Sequence, residues 1–182
     1  MFEKIRKMKN QKGFTLVELI VVLVILAILA ALLVPALTGY IDKANKEKVI
    51  ATTRMVVMAA QTEASEKYGL KADGQLHGGE AFTVAKDKNG YTPDTKKEDK
   101  GEDVGEVDGI SIKTIAKLAE VANDDNCNFV NGVESVSVTI DAKGHVTSVT
   151  VVQSNFQCVY TANPTAGTDK YVVSDKPAGE GA

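Results

Sequence analysis

Residues 12–37 read KGFTLVELIVVLVILAILAALLVPAL, and this stretch decides the fold. Leu19 to Val34 carries no polar side chain. With Phe14 to Val17 it approaches the ~20 apolar residues that span a bilayer as a helix. One carboxylate, Glu18, interrupts the block near its start, and Pro35 and Gly39 fall near its end. Ahead of it stand Lys4, Arg6, Lys7, Lys9 and Lys12 against Glu3, a local +4 that leaves -7 on the rest of a chain whose formal charge is -3. Basic residues directly before an apolar block keep that flank cytoplasmic.

Beyond the block the helical pattern continues. Ile41, Ala44, Ala51, Met55, Met58 and Ala59 recur at spacings of three, four and seven, and Val49, Ile50, Val56 and Val57 widen the stripe. Asp42, Lys43, Lys46, Glu47, Lys48 and Arg54 occupy other faces, so the pattern predicts an amphipathic helix with one broad apolar side. Gly69 after Tyr68 is its stop signal. A helix from Phe14 to Tyr68 is ~80 Å long at ~1.5 Å per residue, too long to be packed within a domain of this size.

Residues 70–109 read as a loop-rich region, with turn signals at Asp73-Gly74, Asn89-Gly90 and Pro93-Asp94 and a charged stretch from Lys96 to Asp108. Ser111 is a fair N-cap for a short helix to Ala122, with Ile112, Ile115, Leu118 and Ala119 on one face. Strand signals follow. Val133 to Ile140 alternates, Asp141-Ala142-Lys143-Gly144 turns, and His145 to Val152 returns, which is the clearest hairpin in the chain. Gln157 to Thr161 and Lys170 to Ser174 are further strand candidates, and the tail from Lys176 reads as frayed. The fold class expected is α+β, a long N-terminal helix on a small antiparallel sheet. Residues 1–13 form a basic leader, 14–37 the apolar half of the helix, 38–69 its amphipathic half and 70–182 the head.

Composition narrows the function. Trp is absent and aromatics make up 5% of the chain, so no platform for stacking nucleic-acid bases is expected, and the acidic head disfavours a polyanion partner. His77 and His145 are the two histidines, neither near a nucleophile in sequence; no nucleophile elbow, phosphate loop or zinc-protease motif is present, and no catalytic role is expected. No cofactor is expected either. Asn123 to Asn126 with Asn128 and Asn131 is oxygen-rich, but its spacing fits no calcium loop and helix-ending turns favour the same residues, so no metal site is assigned. Cys127 and Cys158 lie far apart and form no metal-ligand pattern. Outside the membrane a single disulfide is permitted, two buried thiols being the alternative.

The leader ending in Gly13, followed by Phe14-Thr15-Leu16-Val17-Glu18 and an unbroken apolar run, resembles the N-terminus of type IV prepilins and type II secretion pseudopilins. A secretory signal peptide would place its cleavage site after a shorter apolar core; here the natural cut lies before it. Pro35, one turn before the membrane exit, also fits the pilin pattern. The resemblance implies cleavage between Gly13 and Phe14 by a membrane peptidase, N-methylation of Phe14, and filament assembly in which Glu18 takes part. It implies a bend near Pro35 and a Cys127–Cys158 bridge tying the C-terminal segment to the sheet. Its implied partners are further copies of the chain, minor pilins, a prepilin peptidase, an assembly ATPase and a membrane platform protein. The location implied is the cytoplasmic membrane for the precursor and a surface filament after assembly. A pseudopilin of a secretion or competence machine shares the N-terminal logic. A single-pass anchored binding protein explains the basic flank and apolar run but not Gly13-Phe14 or Glu18.

Overall fold

The computed structural model describes residues 14–87, 90–91, 106–123 and 127–177. Helix α1 spans Leu16–Gly69 and runs on through Pro35. Proline removes one backbone donor; just beyond it, the Thr38 hydroxyl donates to the carbonyls of Val34 and Pro35 at 3.3 and 2.9 Å. The chain divides between Lys43 and Ala44 into two units.

In the second unit, strands β1 (Phe82–Asp87), β2 (Gly90–Tyr91), β5 (Val133–Ile140), β6 (Val146–Gln153), β7 (Phe156–Thr161) and β8 (Tyr171–Asp175) form an antiparallel sheet in the order β2-β1-β5-β6-β7-β8. A small ribbon of β3 (Glu106–Val107) and β4 (Ile110–Ser111) leads into helix α2 (Ile112–Leu118). Ser111 caps α2 as its sequence position suggests, its hydroxyl accepting from the Lys113 amide at 3.2 Å. The helix ends earlier than Ala122, because Glu120 turns left-handed at φ 55° and the chain pairs back through Ala122 and Phe129.

The head from Ala44 onward has one core. Val49, Val56, Ala60 and Ala64 of α1 lie against Val84, Val136, Val138, Val149, Val151 and Cys158 of the sheet. Period-two alternation explains the sheet's share: Val136, Val138 and Ile140 point inward, while Ser137 and Thr139 alternate outward. On the outer face the Thr83 and Thr139 hydroxyls meet at 3.0 Å across the β1–β5 pair.

Two expectations need correction. The loop-rich stretch 70–109, where no strand was expected, holds one: Phe82–Asp87 is an internal strand paired along its length with β5. Its inward positions are Phe82, Val84 and Lys86, and the lysine breaks the apolar alternation that would announce a strand. Lys86 is buried with its ammonium 4.9 Å above the Phe129 ring, an electrostatic partner no local pattern reveals. Much of the charged stretch, residues 92–105, lies outside the described residues. The second correction concerns α1. The side turned to the core carries Val49, Thr52, Thr53, Val56, Ala60 and Glu63, whereas Ala44, Ala51, Met55 and Met58 stay exposed. Thr52 and Thr53 tolerate burial because their hydroxyls bond back to the carbonyls of Lys48 and Val49 at 3.0 and 2.8 Å.

Glu63 is the buried carboxyl of this interface. Burial raises its pKa, the Lys67 ammonium at 4.0 Å opposes that rise, and Glu66 and Glu106 add to it. The folded chain thus keeps a proton that the unfolded chain has released. Stability falls as pH climbs from the ordinary carboxyl value of 4.5 to the raised one. Asp141 works the other way. Burial pushes it up, but bonds from the His145 amide and ring and the Lys143 amide outweigh this and hold it below 3.8, so its contribution is lost as pH falls through the folded value. A Glu63→Gln chain is therefore expected to melt with the wild type near about pH 4 and above it at about pH 8. A melting difference that stays constant with pH would refute the assignment.

Candidate processing and assembly site

The first unit's described residues begin at Phe14. Its helix starts where local chemistry dictates. Thr15 precedes Leu16, its hydroxyl accepts from the Glu18 amide at 3.2 Å, and its carbonyl accepts from the Leu19 amide at 3.2 Å. Thr15-x-x-Glu18 has the spacing of a capping box, and it places a carboxylate in the first turn, where the helix dipole favours negative charge. The Thr-x-x-Glu spacing is a local signal that the sequence itself carries.

Beyond this cap the side chains of the helix stay exposed as far as Lys43. Phe14 is 79% exposed and Leu32 71%. By length and composition the helix can cross a membrane. Glu18 is the only charged side chain between Phe14 and Ile41. Pro35, the second assembly residue expected, sits inside the helix with no break in its assignment. Gly13, the expected cleavage residue, lies outside the described residues.

The cysteines sit in the head. Cys127 and Cys158 are both buried, and the structure holds them as thiols, not as a bridge. Cys158 faces α1 from β7. Burial pushes its thiol pKa up, and the Thr53 hydroxyl and the Arg54 charge pull it back less strongly. Such a thiol is a weak nucleophile at neutral pH. The histidines serve turns: the His145 ring meets the Asp141 carboxylate at 3.1 Å, and the His77 ring packs 5.5 Å from that of Phe82. Residues 124–126 of the oxygen-rich loop lie outside the described residues.

A capped apolar helix with one acid in its first turn, continuing into a helix that packs on an antiparallel sheet, is the layout of a membrane-anchored α+β precursor. Residues 8–34 match the prokaryotic N-terminal methylation motif. That motif is the class III signal peptide of type IV pilins and pseudopilins, so over these residues the chain is similar to such proteins, and the motif implies processing by a prepilin peptidase. No curated protein and no solved structure matches the chain significantly.

Proposed function

We propose that the chain is a structural, non-catalytic subunit of a type IV pilus. The carrying observation is the Phe14–Lys43 segment, whose side chains are exposed, behind a methylation motif. Lipid satisfies such a segment before assembly, since a helix satisfies its own backbone there. Once out of the bilayer it must be buried by something equally apolar, and a bundle of identical helices supplies that. Cleavage between Gly13 and Phe14 removes the basic leader and leaves a positive amine on Phe14, four positions from Glu18. Methylation keeps that amine basic. In low dielectric the attraction between opposite charges decays slowly with distance, so Glu18 of an incoming subunit sets axial register by meeting the Phe14 amine of a neighbour. Minor pilins, an assembly ATPase and a platform protein complete the machine in this reading. Pro35 gives the helix a weak point at the membrane exit, and a Cys127–Cys158 bridge formed after export closes a loop around the central hairpin.

N-terminal sequencing and intact mass of the mature protein test the processing step. The expected product starts at Phe14 and carries one methyl group; a mature chain that retains residues 1–13 rules the proposal out. Electron microscopy of cells expressing the chain then separates the two filament types. Long surface fibres built from it support the pilus, and short filaments confined to the envelope support the pseudopilus.

A further inference from the structure

The head leaves few large apolar side chains in the open. Among the described residues beyond Ile41, those exposed are Met55, Met58, Leu70, Leu118 and Val172. Three of these five, Met55, Met58 and Leu118, converge on one groove between α1 and α2. Ala59 and Ala119 line it as well, Thr62 and Glu120 are its polar members, and its volume is about 350 Å³. Met58 is 63% exposed and Leu118 54%. Single exposed apolar residues need no explanation, but here three of the five gather on one groove.

We propose that this groove seats the apolar half of α1, within residues 14–37, from a second copy of the chain. The inference rests on the filament reading and names the surface that reading leaves open. Two further observations select the occupant. The largest uncovered apolar surface among the described residues is the Phe14–Ile41 segment itself, so the two surfaces match in chemistry. A groove that paired with its own copy would make a closed two-fold dimer and stop growth, whereas a filament needs unlike surfaces meeting head to tail. Groove on one subunit and apolar helix on the next are such a pair. The lining suits a helix: alanines let a backbone approach closely, and the flexible thioethers of Met55 and Met58 adapt to an uneven helix surface.

The test uses the full chain in cells that assemble it, with labelled and unlabelled subunits mixed. A photoreactive side chain placed at position 118 is expected to crosslink between subunits to residues 14–37. Leu118→Glu and Met58→Lys chains are expected to be cleaved and membrane-inserted normally and to melt in detergent like the wild type. Their filament yield should fall at least about tenfold. Crosslinks to another subunit's head, to a different protein or to lipid would overturn the proposal, as would wild-type filament yield from both variants. A wild-type chain that forms no filament at all would instead overturn the underlying reading, and this inference with it.

Discussion

A Glu18→Ala subunit is expected to be cleaved and inserted as well as the wild type, yet to enter filaments more than about a hundredfold less. Insertion should not suffer, because a carboxylate within a membrane segment costs on the order of 2.5–3.5 kcal/mol and the substitution removes it. Assembly should, because in the proposed filament the Phe14 amine would be left without its partner among apolar helices. Breaking a buried charge pair costs about 3–5 kcal/mol, and every ~1.4 kcal/mol is tenfold in an equilibrium. The cap found at the helix start sharpens the experiment. Thr15 holds the first turn through the Glu18 amide, which any residue but proline supplies at position 18. A Glu18→Gln chain keeps that bond and the capping-box spacing and loses only the charge. It should fail in assembly almost as badly as the alanine variant. Normal filaments from the glutamine variant, by quantitative separation of fibre and membrane fractions, would sink the charge-pairing account.

The second large effect is on stability. Gly144→Ala is expected to cost the head roughly 2–5 kcal/mol, through about 1–2 for a left-handed backbone and about 1–3 for overpacking. Gly144 sits at φ 76° in the β5–β6 turn. A Cβ there would lie 3.0 Å from the Tyr68 Cβ and 3.3 Å from the Ala64 carbonyl oxygen. The turn cannot retreat, because the Gln61 side chain grips it from both sides: its amide nitrogen donates to the Gly144 carbonyl at 2.8 Å, and its oxygen accepts from the Val146 amide at 3.0 Å. Gly78 is the control. Its φ of 63° is similarly left-handed, but nothing lies within 4 Å of an added Cβ, so Gly78→Ala should show only the backbone share of about 1–2 kcal/mol. Thermal melts of the detergent-solubilised chain should separate the two variants by several degrees, roughly 2–4 °C per kcal/mol. Equal melting temperatures would mean that the close approach of helix and turn contributes nothing.

The sites differ in how far their chemistry is local. The assembly segment was readable because each of its signals is short-range: a basic leader, a Gly-Phe junction, an acid four residues on and an apolar run. The β5–β6 hairpin was readable for the same reason, since alternation and an Asp-to-Gly turn lie within twenty or so residues. β1 was missed because its partner, β5, lies some fifty residues further along the chain, and an inward lysine hid its alternation.

By itself, then, the sequence determined an apolar helix behind a basic leader, its stop at Gly69, the α+β class and the central hairpin. All of these follow from hydrophobic period and capping chemistry acting over a few turns. Only the tertiary structure decided which side of α1 meets the sheet. The apolar stripe from Ile41 to Ala59 is wider than the sheet covers. Packing took the line through Val49, Val56, Ala60 and Glu63 and left Met55 and Met58 in the open beside Leu118. Periodicity counts apolar residues around a helix but cannot say which of them the fold will use, because burial is settled by what lies opposite, and that comes from distant parts of the chain.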